Sequence, residues 1–145
     1  MVEYQSIQQR GFHNTYDENG EIDGFEFRFV PKYYKGLWLT QCRFGNLTVD
    51  GEVFDRDELI FEYDCIEYTR EELFDTKLYW QFREPIIIKA KKKGGLSIGY
   101  HTVHYQFGWV LNYNGALEAE PDGSGLGNMQ HMFGVDHERR MLLCR

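Results

Sequence analysis

Phe25, Phe27 and Phe29 alternate with Glu26 and Arg28. An extended segment through Gly24–Val30 puts the three rings on one face and the two charges on the other. A helix would put Phe27 opposite Phe25 and Phe29, so this run specifies a half-buried strand, and a strand needs a second layer to cover its apolar face. Pro31 ends the alternation. The chain then passes through Lys32-Tyr33-Tyr34-Lys35-Gly36 and resumes as the apolar run Leu37-Trp38-Leu39. A further extended run, ending Leu47-Thr48-Val49, meets the turn dipeptide Asp50-Gly51.

The remaining segments keep this β rhythm. Residues 1–23 read as an entry segment that closes on a turn, with Asn19-Gly20 a hairpin signal between extended runs. Arg43–Val49 is a strand that returns through Asp50-Gly51 to Glu52-Val53-Phe54. Glu58–Tyr63 and Cys65–Tyr68 are short and β-like. Thr69-Arg70-Glu71-Glu72 is a capping box, which predicts one or two helical turns over Arg70–Asp75. Pro85-Ile86-Ile87-Ile88-Lys89 reads as a strand in a two-sided apolar setting. Leu96–Leu111 is a long extended segment with Tyr100, Thr102, His104 and Gln106 on one face and His101, Val103, Tyr105 and Phe107 on the other. Short strands at intervals of about 8–12 residues, with no βαβ alternation, predict an all-β fold: an antiparallel β-sandwich, jelly-roll-like, with one short helical turn. Residues 1–116 form the sandwich domain. Residues 117–145 form a glycine-rich loop and flexible tail that docks on the domain or on a partner, because Met129, Met132, Phe133, Met141, Leu142 and Leu143 restore apolar character after Glu118–Gly127.

The 145 residues carry a net charge of −7, which excludes a phosphate backbone as the main partner. Lys89 and Lys91–Lys93 make one basic run, expected as a solvated hairpin end or a lysine-protected edge strand. Aromatics reach 17% of the chain, which suits both pleated faces and protein interfaces. The three cysteines include no CxxC pair, and no apolar stretch reaches membrane-spanning length, so a cytoplasmic chain with reduced thiols and no membrane partner is expected. Cys42 and Cys65 read as small buried hydrophobes in strands.

Few residues have the spacing that chemistry needs. His101 and His104 point to opposite faces of a strand and cannot chelate one ion together. His131 and His137 lie in the tail without the second histidine of a zincin motif. Asp55 with Asp57, and Glu71 with Glu72, sit in polar turns and read as surface charge. No glycine-rich run precedes a helix with a phosphate-binding lysine, and no catalytic residue and no metal ligand is assigned. Trp38 follows a Pro- and Gly-bounded turn that carries two tyrosines. Tyr33, Tyr34, Lys35 and Trp38 are therefore the candidate contacts for a partner or ligand.

The order of Gly24-Phe25, Pro31, Tyr33-Tyr34-Lys35-Gly36, Leu47, Val49-Asp50-Gly51-Glu52, Glu72-Leu73, Tyr79-Trp80, Pro85 and Gly94-Gly95-Leu96 resembles the small beta subunits of bacterial C-glycoside deglycosidases. The resemblance covers roughly residues 10–112. It implies a small β-sandwich that pairs with a larger alpha subunit in a hetero-oligomer. It further implies that the alpha subunit is a TIM-type barrel with a divalent metal, manganese, and that this chain holds no cofactor. The implied reaction cleaves the carbon–carbon bond of a 3-oxo-C-glycoside by elimination, with acid, base and metal supplied by the barrel. The alternative is a free-standing carbohydrate-binding β-sandwich that stacks sugars on Trp38, Tyr33 or Tyr34.

Overall fold

A computed structural model describes residues 3–110, 132–133 and 136–144. Its strands are β1 (Ile7–Tyr16), β2 (Ile22–Phe29), β3 (Leu37–Trp38), β4 (Cys42–Val49), β5 (Glu52–Phe54), β6 (Ile60–Tyr63), β7 (Ile66–Tyr68), β8 (Tyr79–Trp80), β9 (Ile86–Lys91), β10 (Gly99–Val110), β11 (Met132–Phe133) and β12 (Asp136–Leu143). One helix, α1 (Arg70–Asp75), follows β7. One sheet runs β1-β2-β9-β6-β7. The other runs β5-β4-β10, and the far edge of β10 carries β12 and β11. Among the described residues all pairings are antiparallel, and β3 pairs β8 in a separate two-residue ribbon. The all-β antiparallel expectation holds.

The phenylalanine alternation builds the core. Phe25, Phe27 and Phe29 have no solvent exposure, and they meet residues of the opposite sheet. Phe29 lies 4.9 Å from Phe107 and 5.3 Å from Tyr105, edge to face. Phe27 meets Tyr105, and Phe25 meets Phe54. Val103, Tyr105 and Phe107 are buried on the inner face of β10, while Tyr100 and Thr102 are exposed on the outer face. Thr69 caps α1 as expected: its hydroxyl accepts from Glu72 N–H, and Glu72 returns a carboxylate to Thr69 N–H.

The extended runs expected on either side of the Asn19-Gly20 turn are β1 and β2, and β1 is bent at Gly11, whose φ of 84° accompanies a break in register with β2. Three expectations change. Ile87 is half-buried on the outer face of β9, so only Ile86 and Ile88 enter the core. β9 is the central strand of its sheet, not an edge, and its lysines are paired. Lys89 reaches Glu62 at 2.9 Å and Glu67 at 3.4 Å, and Lys91 reaches Asp23 at 3.1 Å. Cys42 is buried in β4, and burial pushes its thiol pKa up. Cys65, by contrast, is exposed in the β6–β7 turn with a φ of 65°, where two left-handed residues let a short hairpin close.

The first and last strands lie side by side. Leu142 of β12 is bonded to the side chain of Gln9, and Arg139 donates to Ile7 C=O and to Glu3. The expected glycine-rich loop at 117–127 lies outside the described residues.

Candidate functional site

The expected contact residues gather at one end of the sandwich, around the β3–β8 ribbon. Pro31 cannot donate to a strand partner, and the chain turns there, with Tyr33 N–H donating to Pro31 C=O at 3.0 Å. Tyr33 is half-buried, 5.2 Å from Trp109 and 4.6 Å from Tyr34. Burial foremost, and then the neighbouring Tyr34 hydroxyl, raise the Tyr33 pKa. Tyr34 projects outward with 74% of its surface exposed, and Lys35 lies over its ring. Tyr33 is thus the anchor and Tyr34 the presented ring.

Gly36 makes the ribbon possible. A Cβ there would strike the Trp80 carbonyl oxygen and come within 2.5 Å of the Tyr79 ring. Without a side chain, β3 settles on β8, with Leu37 opposite Trp80 and Trp38 opposite Tyr79. Trp38 meets Tyr79 edge to face at 5.0 Å and keeps 38% exposure. Trp80 and Trp109 are buried, and Trp80 Nε1 donates to Glu84 C=O at 2.6 Å.

The loop 81–85 supplies a second wall. Tyr63 donates its hydroxyl to Glu84 and accepts from Gln81 N–H, both at 2.9 Å. Burial raises the Tyr63 pKa, against the opposing pull of the Gln81 N–H. Held in this way, the loop turns through Arg83, at a φ of 66°, and projects Phe82 outward with Arg83 over its ring. Between this loop and residues 31–34 lies a groove of about 760 Å³, floored by the start of β1 and the end of β2. Tyr4, Phe82 and Arg83 have no sequence signal of their own, because they join Tyr34 only when the loops fold together.

His101, His104, Asp55 and Asp57 have structural partners. His101 is buried, and its ring nitrogens lie 2.6 Å from Asp50 Oδ2 and 2.7 Å from Ser97 C=O. His104, on the opposite face, lies 3.1 Å from Asp136. Asp55 caps the 3-10 turn at Arg56–Glu58, and Asp57 pairs with Arg70 at 2.8 Å. Among the described residues, no three His, Cys, Asp or Glu side chains converge as a metal site. His131 lies outside the described residues. His137 is half-buried, 5.1 Å from the Phe29 ring.

Known sequences match this chain over nearly all of its length. The sequence model of the C-glycoside deglycosidase beta subunit matches residues 2–113, which include every aromatic residue of the exposed end. A protein of Eubacterium cellulosolvens named C-glycoside deglycosidase beta subunit is 36% identical over 146 residues, spanning 98% of this chain and 99% of that protein. The alignment therefore runs through the tail as well as the sandwich.

Proposed function

We propose, from the premise that this chain belongs to the C-glycoside deglycosidase beta subunit family, that it is the accessory subunit of a complex whose larger subunit carries the chemistry. The observation that carries this reading is the exposed aromatic end. Tyr34, Trp38 and Phe82 are exposed beside the buried Trp80 and Trp109, an arrangement suited to a partner and not to a reaction. The larger subunit is a TIM-type barrel holding a divalent ion, manganese, and this chain contributes no ligand to that ion.

The reaction is elimination from a C-glycoside already oxidised to the 3-oxo form. The ketone acidifies the proton at C2, and a base of the larger subunit removes it. The electron pair forms the C1–C2 double bond as the C1–aglycone bond breaks, and a proton is delivered to the departing aglycone carbon. This chain's part is to brace the barrel and hold the mouth of its pocket, from the cytoplasm. Tyr33, Tyr34, Lys35 and Trp38 are the proposed contact residues.

Co-expression with the barrel subunit tests the reading. A stable complex active on a 3-oxo-C-glycoside is expected. Full activity of the barrel protein alone, with no co-purification of this chain, would overturn it. A saturable tryptophan fluorescence change with simple glycosides in the absence of any partner would favour a free-standing carbohydrate-binding sandwich.

A further inference from the structure

We infer that the groove between residues 31–34 and 81–85 seats an acidic segment of the partner subunit, held by Arg10, Arg28, Lys32 and Arg83. This rests on the accessory-subunit reading above. Four cations from β1, β2 and the two loops line one concavity. Its one acidic residue, Glu3, is already engaged: its carboxylate accepts from Gln9 N–H, Arg10 N–H and Arg139.

Lys89, Lys91, Lys92, Arg70 and Arg139 each have a carboxylate partner, whereas Lys35, Arg56, Lys77, Lys93 and Arg140 have none among the described residues. Among the described residues, no carboxylate lies within ion-pair distance of Arg10, Arg28, Lys32 or Arg83. The chain has 23 acidic residues against 16 basic ones, so four unmatched cations in one place is a local reversal of its overall charge. Such a patch steers and orients an oppositely charged partner.

The groove also fixes the geometry of its cations. Arg28 lies across Gly11, where an added Cβ would come within 2.7 Å of Nε, so the bend in β1 leaves room for the guanidinium stem. Arg83 is steadied over Phe82. Guanidinium groups take carboxylates with two parallel hydrogen bonds, which suits Asp and Glu side chains entering from outside. Tyr4, Tyr34 and Phe82 on the rim offer apolar contact to the residues flanking those acids.

The test measures binding of the full chain to the barrel subunit by calorimetry at a series of ionic strengths. Arg10→Gln with Arg83→Gln is expected to weaken the complex about tenfold or more at low salt and to flatten its salt dependence. Arg83→Glu is expected to weaken it further, with unchanged melting because Arg10 and Arg83 are exposed. If these variants bind with wild-type affinity and salt slope while Trp38→Ala still weakens the complex, the groove inference is overturned and the subunit reading stands. If the wild-type chain forms no complex, both are overturned. The inference also fails if neutralising Glu118, Glu120 and Asp122 tightens binding and abolishes its salt dependence, since the occupant is then the chain's own tail. Self-association that Arg83→Glu abolishes, with partner binding intact, would assign the groove to a second copy and overturn it too.

Discussion

The carboxamide of Gln9 is bonded at both ends to one residue, Leu142: its Nε2 donates to the Leu142 carbonyl at 2.7 Å, and its Oε1 accepts the Leu142 N–H at 2.9 Å. A side chain here does what a strand backbone would do, joining β1 of one sheet to β12 of the other. Gln9→Ala leaves both Leu142 groups unpaired and is expected to cost about 1–3 kcal/mol. Hydrogen exchange at the Leu142 amide should accelerate by a matching factor. Unchanged protection there would mean that packing alone closes this side of the sandwich.

Phe29 is the residue whose loss should be felt most. Its ring contacts Phe107, Tyr105, Trp80 and His137, and it has no exposure. Phe29→Ala is expected to cost about 3–5 kcal/mol, read from the denaturation midpoint. A loss below about 1 kcal/mol would show that the two layers can collapse around the gap.

Gly36→Ala should separate ribbon from sandwich. The added methyl meets the Trp80 carbonyl and the Tyr79 ring, so β3 has to lift away. The near-ultraviolet signal of the Trp38–Tyr79 pair should fall, and association with the larger subunit with it. A variant with wild-type spectrum and wild-type affinity would contradict the role given to this glycine.

Trp38→Ala is expected to weaken association by about 2 kcal/mol, the size of an interface hot spot. The fold should lose less, because the indole is 38% exposed and rests on one ring, Tyr79. Unchanged affinity with a large drop in thermal stability would assign Trp38 to the interior.

The Asp50–His101 pair gives a pH dependence of defined sign. Burial alone would raise the Asp50 pKa, but hydrogen bonds from His101 and from Thr102 N–H outweigh it and leave the pKa lowered. A carboxyl group depressed in the folded state stabilises fully above its unfolded pKa, and that contribution is lost as pH falls through the folded value. Asp50→Asn keeps a residue tolerant of the turn's φ of 50°. It should lower the melting temperature at pH 6, and the gap from wild type should shrink below about pH 4. A gap that widens with acid would show that the hydrogen bonds do not set this pKa.

The strands were legible because period-2 burial and turn dipeptides are local signals. Phe25, Phe27 and Phe29, the Asp50-Gly51 turn and the Thr69 cap all sit where their neighbours in sequence place them. Where the reading failed, the deciding contact was distant. Lys89 and Lys91 suggested an edge, yet β2 and β6 both pair with β9, and their Asp23 and Glu62 meet its lysines. Cys65 reads as a buried strand residue, but its left-handed turn conformation exposes it. The candidate site was half legible. Tyr33-Tyr34-Lys35 and Trp38 are contiguous enough to stand out, whereas Arg10, Arg28 and Arg83 are far apart in the chain and become one patch only when β1, β2 and the 81–85 loop meet.

The unequal burial of the indoles has an optical consequence. Trp80 and Trp109 are sealed in the interior, so Trp38 is the one tryptophan that a dissolved quencher can reach. Acrylamide should therefore extinguish only its red-shifted share of the emission. Loss of that quenching on mixing with the larger subunit would report occupancy of the ribbon without any attached dye.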